Sequence, residues 1–133
     1  AVSDKTHYNE MNVLSMHALI GAYQPQGYEW VDELNQVLAG NIECFCDYVD
    51  EHFAGVSYSR PQGTYMVFLD CTEWCREHGR DIQWLLDEGA RVGVGYQDGR
   101  PFHGPCHIRV NLALPLSRVR EACDRLDRYV FGV

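Results

Sequence analysis

Lysine is nearly absent from this sequence. Lys5 is the single lysine among 133 residues, whereas arginine occurs ten times. Chemistry that needs a lysine amine, such as Schiff-base formation with a carbonyl compound, therefore has only Lys5 as a candidate. The arginines are scattered, and the formal net charge is −8. Proteins that bind nucleic acid usually carry clustered basic residues that neutralise phosphates, so we expect no nucleic-acid partner.

Long apolar runs are also missing. No stretch approaches the ~18 consecutive apolar residues of a transmembrane helix, and the first residues lack the basic and then apolar pattern of a signal peptide. We therefore expect a cytoplasmic protein without a membrane partner. Hydrophobic residues make up 46% and charged residues 23% of the chain, which is typical of a folded globular domain. The sequence does not begin with methionine, which is compatible with a processed protein or a fragment.

Six cysteines raise the question of disulfides or a zinc site. In an acidic domain without a secretory signal, reduced thiols are expected, and cysteine is readily buried as a small hydrophobe. Cys71 and Cys75 lie near His78, but the chain has no paired Cys-x-x-Cys arrangement of the kind typical of structural zinc. We expect no bound metal, and a zinc-stabilised interaction domain stays open as an alternative.

Two helices are predicted in the first part of the chain. Apolar residues recur at three- and four-residue spacing from Asn12 to Tyr23, and the proline within Gln24–Gly27 is expected to end that helix. A longer apolar stripe predicts a second helix from Tyr28 to Phe53. About 25 residues at about 1.5 Å each give a rod of about 40 Å. Such a rod is longer than one small domain needs, so it is expected to bridge two bodies.

The rest of the chain alternates between strand and helix signals. Thr64–Asp70 is a run of β-formers without polar alternation, which predicts a strand covered on both faces. In His107–Leu114 apolar residues alternate with polar ones, which predicts one buried and one polar face. Val56–Ser59 is predicted as a further strand, and Glu73–His78, Ile82–Glu88 and the segment that opens at Pro115 as helices.

These elements predict an α+β fold. Two N-terminal helices, the second one long, precede a small mixed or antiparallel sheet with helices packed on one face. The chain divides into a helical segment, residues 1–54, which contains the long inter-domain helix, and an α/β small domain, residues 55–133. Both segments together are expected to form one domain of a larger protein.

Motifs of one family occur in order along the sequence. They are Asn12-Val-Leu with Ala22-Tyr23; Glu29-Trp-Val-Asp-Glu-Leu34 followed by Gly40-Asn41; Gly63-Thr-Tyr-Met-Val-Phe-Leu-Asp70; Asp98-Gly99-x-x-Phe102; and Ile108-Arg-Val-Asn-Leu-Ala113-x-Pro115-x-Ser117. Together they resemble the aspartate-aminotransferase-like enzymes of fold type I, which depend on pyridoxal phosphate (PLP), and especially the cystathionine β-lyase (C–S lyase) branch. The resemblance covers nearly the whole chain.

The resemblance implies the C-terminal domain of a larger enzyme. In this family a large domain carries PLP, a small domain is built largely from the C-terminal stretch, and full-length members are usually homodimers. The chain would then need a missing large PLP-binding domain, and would by itself bind no cofactor and contain no catalytic residue. Ser3-Asp4-Lys5-Thr6 echoes the family's cofactor-lysine segment, but Asn12 follows Lys5 after only seven positions. Because that spacing is far shorter than in the family, we interpret the echo as coincidence.

The resemblance assigns a role to Arg109. It matches the family's arginine that binds the α-carboxylate of the amino-acid substrate, and a guanidinium offers the planar fork of donors that a carboxylate accepts. Asn111 shares its strand face and is expected to support Arg109 or the local backbone. His103 lies in the preceding loop, where the family pattern has glycine directly after phenylalanine. Its position could influence side-chain specificity, and the departure leaves the loop conformation open.

Two functions from different classes are compatible with these residues. The first is a substrate-carboxylate-binding domain of a PLP-dependent C–S β-lyase of the cystathionine β-lyase type, or of an aminotransferase, with the chain inactive alone. The second is a free-standing, non-enzymatic module that uses Arg109 to bind a small carboxylate. The sequence favours the first, since the motifs surround Arg109 in the family's order.

Overall fold

The structure, a computed structural model, describes residues 12–133 in two compact units. One unit ends at Val37, and the other comprises Leu38–Val133. Helix α1 is Val13–Ala22 and helix α2 is Pro25–His52, so α2 begins in the first unit and ends in the second. No helix within residues 12–133 combines the length and the apolar composition of a membrane-spanning segment.

Helix α1 starts where the sequence predicts, because the Asn12 side chain accepts the backbone N–H of Ser15 at 2.8 Å and caps the first turn. Helix α2 starts three residues earlier than predicted, at Pro25 instead of Tyr28. Proline is favoured in the first turn of a helix, where its missing N–H costs nothing. The prediction had used Pro25 only as the end of the preceding helix.

The apolar side chains of α1 are not covered by the described residues. Leu14 is 82% exposed, Val13 is 64% exposed, and no residue of α1 is buried. Apolar residues lie all around this helix, and a helix of that kind is normally enclosed by other protein.

The second unit contains a four-stranded antiparallel sheet. Its strands are β1 (Ser57–Tyr58), β2 (Met66–Asp70), β3 (Gln97–Asp98) and β4 (His107–Asn111), and their order across the sheet is β1-β2-β4-β3. The register places Arg109 of β4 between Phe68 of β2 and Gln97 of β3. Strand β4 therefore lies between β2 and β3, and Phe68, Arg109 and Gln97 form one row across these three strands.

Three shorter helices complete this unit: α3 (Thr72–His78), α4 (Ile82–Arg91) and α5 (Leu116–Leu126), which continues as a π-helical turn at Asp127–Phe131. Residues of these helices and of α2 pack with the buried side chains of the sheet into one core. The predicted α+β architecture, with helices on one face of a small sheet, is confirmed.

The prediction that β2 is covered on both faces is wrong. Val67 and Leu69 are buried, but Met66, Phe68 and Asp70 on the opposite face are only half-buried. Because Met66 and Phe68 are apolar although they lie on the less buried face, the sequence of β2 shows no alternation of polar and apolar residues. Strand β4 also ends at Asn111 and not at Leu114, because the Asn111 side chain accepts the N–H of Ala113 at 2.8 Å and turns the chain.

Asn41 fastens the second half of α2 to the end of the sheet. Its side chain is 1% exposed, and its Nδ2 donates to the carbonyls of Leu112 at 2.9 Å and Leu114 at 2.8 Å. Both carbonyls lie beyond the end of β4 and have no strand partner there. The asparagine thus replaces the ladder hydrogen bonds that the chain loses when it leaves the sheet.

Candidate functional site

The sheet has one face turned to the core and one that is open. We call the second the open face. Strict alternation in β4 sets the division, because Ile108 and Val110 are buried while the residues between them point the other way. The open face consists of residues from three strands: Met66, Phe68, Asp70, Gln97, His107, Arg109 and Asn111.

Arg109 lies in the middle of the open face. Its Nε donates to Gln97 Oε1 at 2.7 Å, and its Nη2 donates to the same oxygen. The guanidinium carbon lies 3.9 Å from the centre of the Phe102 ring, which is a cation–π distance. An amide oxygen and an aromatic face therefore hold the side chain on the open face and outside the core.

The positive charge of Arg109 is not neutralised by a carboxylate among residues 12–133. Six other arginines of the described chain form ion pairs with aspartate or glutamate at 2.5–3.0 Å. At Arg109 the two contacts named above are an amide and a ring, neither of which carries negative charge. The guanidinium can therefore still bind an anion with its remaining N–H groups.

A histidine–aspartate pair lies beside Arg109 on the open face. His107 Nδ1 is 3.7 Å from Asp70 Oδ1, and its ring packs on Phe68 with centroids 4.7 Å apart. The Nδ1 atom of His107 is buried and has no hydrogen-bond partner among the described residues. Partial burial alone would raise the pKa of Asp70, but the Thr72 hydroxyl and N–H and the charge of protonated His107 outweigh it and lower that pKa.

The loop that precedes β4 supplies Phe102 through a tight turn. Arg100–Phe102 form a 3-10 helix, and His103 follows in the left-handed conformation, with φ 62° and ψ 19°. Glycine adopts this conformation most readily, so His103 retains a backbone geometry typical of glycine although the residue differs from the family pattern. The His103 side chain is exposed.

Gly104 explains why the loop can lie so close to the sheet. A Cβ at this position would lie 2.5 Å from Phe68 Cζ and 2.6 Å from His107 Cβ. Only glycine lets the backbone approach these rings without a clash. The glycine after His103 therefore permits the close approach of the loop to the open face.

Asn111 does not contact Arg109 through its side-chain oxygen. That oxygen accepts the backbone N–H of Ala113, as described for the end of β4. Among the predicted site residues, the structure thus places Arg109 and Asn111 on one face and His103 in the loop after Phe102.

A second concavity, on the core side of the sheet, is less suited to an anion. It is a groove of about 350 Å³ lined largely by apolar residues of α5 and of the chain around β4. Its charged rim residues are Arg118, Glu121 and Arg125, and both arginines already pair with Glu121, at 2.7 and 2.5 Å. The open face therefore remains the candidate anion site.

Gln97 and Phe102 are the contacts of Arg109 that sequence reasoning missed. Phe102 carries a weak signal, because it belongs to the Asp98-Gly99-x-x-Phe102 motif. Gln97 carries none, because its place opposite Arg109 depends on the register of a two-residue strand.

The described residues contain no group of three or more histidine, cysteine, aspartate or glutamate side chains placed to hold a metal ion. The six cysteines are unpaired thiols, and four of them, Cys46, Cys71, Cys75 and Cys123, are buried. Burial raises the pKa of Cys75 to about 12 and that of Cys123 to about 12. These thiols are therefore protonated at neutral pH and act as core residues.

The relatives of the chain are longer proteins. It is 35% identical over 118 residues to a "Putative cystathionine beta-lyase" of Mycobacterium leprae, a match that covers 77% of the chain and 28% of that protein. It is 27% identical over 138 residues to an aspartate aminotransferase of Bacillus sp., covering 98% of the chain and 34% of that protein. The chain thus spans about a third, or less, of the length of these relatives. No family model matches the chain.

Solved structures of the same fold agree with these relatives. A PLP-bound "putative aminotransferase" from Clostridium difficile has a TM-score of 0.80 and 24% identity, and the match covers 94% of the chain and 33% of that structure. The PLP-bound C-S lyase from Staphylococcus hominis has a TM-score of 0.78 and 22% identity, with the same coverage of 94% and 33%. The fold of the chain is therefore that of one third of such an enzyme.

Proposed function

We propose that this chain, a homologue of cystathionine β-lyases and aminotransferases, is the substrate-carboxylate-binding C-terminal domain of a PLP-dependent C–S β-lyase or aminotransferase. The observation that carries the proposal is the Arg109 guanidinium, which lies on the open face without a carboxylate partner among residues 12–133. The ligand is the α-carboxylate of an amino acid. The domain acts in a cytoplasmic enzyme that is a homodimer when complete.

The contribution of the chain is to bind and orient the substrate. A carboxylate pairs with two N–H groups of a guanidinium in one plane, so binding fixes direction as well as position. Strand β4 holds Arg109 on a rigid element, since its neighbours Ile108 and Val110 are fixed in the core. The α-carbon of the bound substrate is thereby directed away from the guanidinium.

The described residues do not fit the cofactor itself. PLP enzymes bind the cofactor through a lysine, and residues 12–133 contain none. When bound, PLP supplies an electron sink for a carbanion at the substrate α-carbon. The lysine and the phosphate-binding groups would have to come from a large PLP-binding domain outside the described residues.

The exposed apolar helix α1 supports a covering partner of this kind. Leu14, Ile20 and Val13 are each more than half exposed, and such a patch usually marks contact with other protein. A large domain joined to the chain would enclose these side chains. The proposal of a free-standing module leaves them in water.

The β-lyase reaction is favoured over transamination by sequence identity. The relative at 35% identity carries the lyase name, whereas the aminotransferase relative is 27% identical. The open face binds the group that both kinds of substrate share. The open face therefore supports amino acids as the substrate class. An activity assay has to distinguish β-elimination from transamination.

Replacing Arg109 tests the proposal. In the protein that carries this chain together with its PLP-binding domain, Arg109→Leu should lower kcat/KM for cystathionine about a hundred-fold or more, because one charge-assisted pair is lost. Arg109→Lys should restore little, since an ammonium lacks the fork. Arg120→Leu, at an exposed arginine of α5, is the matched control and should leave kcat/KM unchanged.

A substrate analogue without the α-carboxylate separates binding from folding. Its kcat/KM should be low in the unchanged protein and should not fall further in Arg109→Leu. An equal loss for both substrates would contradict the proposal. Micromolar binding of an amino acid by the chain alone, measured by calorimetry, would favour the non-enzymatic module.

A further inference from the structure

We propose that Gln97 is a positioning residue that holds one edge of the Arg109 guanidinium and thereby assigns the opposite edge to the substrate carboxylate. This inference rests on the proposed function of Arg109 as the carboxylate-binding residue. It adds a residue from a different strand and an orientation of the ligand.

The donor atoms of Arg109 show which edge is occupied. A guanidinium has five N–H donors and two edges that can each pair with a carboxylate: one formed by Nε and Nη2, the other by Nη1 and Nη2. Gln97 Oε1 accepts from Nε and from Nη2, so it occupies the first edge. The second edge keeps one N–H of Nη1 and one N–H of Nη2, and the other N–H of Nη1 points towards Cδ.

The Phe102 ring restricts the remaining freedom of the guanidinium. Its centre lies 3.9 Å from the guanidinium carbon, so one face of the group is covered. With one edge on Gln97 and one face on Phe102, the free edge has a single direction on the open face. Pre-orientation of this kind lowers the entropy that a ligand loses on binding.

The neutral side chain at position 97 matters for the charge of the site. A glutamate there would also accept from Nε and Nη2, but it would neutralise Arg109 and repel an incoming carboxylate. An amide oxygen holds the group without removing its charge. Gln97 therefore fixes the geometry and preserves the affinity for an anion.

Strand β3 is short, yet its position is fixed by the neighbouring tyrosine. The Tyr96 hydroxyl donates to the carbonyl of Leu85 in α4, and its ring lies against Gly89, where a Cβ would be 2.4 Å from the ring. The Gln97 backbone consequently cannot shift far from β4. A side chain on such a fixed strand can act as a brace for Arg109.

Nuclear magnetic resonance of the 133-residue chain tests the brace directly. In Gln97→Leu the Arg109 Nε–H should exchange with water about ten-fold faster than in the unchanged chain, because its acceptor is gone. Gln97→Glu keeps an acceptor and should keep the slow exchange. Gln36→Leu, at an exposed glutamine of α2, is the control and should not change the Arg109 signal.

Titration with acetate, and with acetamide as a neutral probe, tests the assignment of the free edge. Acetate should shift the Arg109 Nη resonances more than Nε in the unchanged chain, and acetamide should shift neither. Gln97→Glu should weaken acetate binding about ten-fold or more although the brace persists. Tighter acetate binding in Gln97→Leu would overturn the proposal, because Gln97 would then be a placeholder that the carboxylate displaces.

Kinetics of the complete enzyme separate this inference from the proposed function. Gln97→Leu should raise KM for cystathionine about ten-fold and change kcat much less, since only the orientation of the binding group is lost. If Arg109→Leu abolishes activity while Gln97→Leu leaves KM unchanged, the brace is wrong and the proposed function stands. If Arg109→Leu has no effect, the proposed function fails whatever the exchange rates show.

Discussion

The two faces of the sheet share strands β2 and β4 but differ in burial and in chemistry. On the core face Val67, Leu69, Ile108 and Val110 are buried against the helices. On the open face the residues between them are half-buried or exposed, and they carry a guanidinium, a histidine and a carboxylate. Because side chains alternate along a strand, each residue that binds on one face lies next to a residue that is anchored on the other.

This difference explains why Arg109 can be precise without being buried. Its neighbours in sequence are locked in the core, so the backbone that carries it cannot move freely. The guanidinium itself needs only light contacts, an amide and a ring, to take one orientation. Mutations can therefore change stability and binding separately. The expected change in the free energy of unfolding is largest on the core face and smallest in the loop that contains His103.

Truncation on the core face should cause the largest loss of stability. Leu69 of β2 is 0% exposed, and Leu69→Ala should lower the free energy of unfolding by about 2–5 kcal/mol, because the removed atoms leave a cavity. Urea unfolding of the chain measures this difference.

Met66→Ala on the same strand is the matched control, because Met66 lies on the open face and is only half-buried. It should cost clearly less than Leu69→Ala. Equal losses at the two positions would show that both faces of β2 are core, as the sequence had predicted, and the comparison between the faces would break.

Removing the Asn41 side chain should have the second largest effect. Asn41→Ala removes the donor of the Leu114 carbonyl and one of the two donors of the Leu112 carbonyl, which also accepts the Leu114 N–H at 2.9 Å. The loss should lower the free energy of unfolding by about 2 kcal/mol. Asn35→Ala, at an exposed asparagine of the same helix, should be neutral or slightly stabilising. A neutral Asn41→Ala would mean that the end of β4 is held by other contacts.

Part of this arrangement could be predicted from the sequence. Clean alternation in His107–Leu114 is a local property, so it predicted that Arg109 points away from the core, and the strand indeed places it on the open face. The long helix was predicted from its stripe, although its start at Pro25 was missed because proline serves both at helix starts and between helices. Both predictions depended on residues near in sequence.

The rest depends on residues that are distant in sequence. Nothing local indicates that Gln97 opposes Arg109, or that Asn41 reaches carbonyls more than 70 positions away. Likewise, Met66 and Phe68 are apolar but face outward, so composition alone could not decide which face of β2 is buried. Register and packing partners, which the sequence does not state, decide these three points.

Neutralising Asp70 should give a smaller effect that depends on pH. The pKa of Asp70 is lowered from its ordinary value of 3.8, so its ionised form stabilises the fold above that value, and this contribution is lost as the pH falls through the lowered pKa. The side chain is 40% exposed, so Asp70→Asn should cost at most about 1 kcal/mol at pH 7.

The difference in unfolding free energy between the unchanged chain and Asp70→Asn should shrink towards zero at the lowest pH at which both remain folded. Urea unfolding between pH 7 and pH 3 measures it. A difference that does not shrink as the pH falls below the ordinary carboxyl pKa of 3.8 would contradict the lowered pKa of Asp70.

The smallest expected effect is at His103, where the loop meets the open face. Its backbone is left-handed, with φ 62°, which costs a residue with a Cβ about 1 kcal/mol relative to glycine. His103→Gly should therefore raise the free energy of unfolding by about 0.5 kcal/mol, after the greater freedom of glycine in the unfolded chain is subtracted. Gly79→Ala, at a left-handed helix end with open space around it, is the reverse control and should lower it. If His103→Gly instead destabilises the chain, the imidazole makes contacts that hold the loop, and the open face extends beyond the three strands that define it.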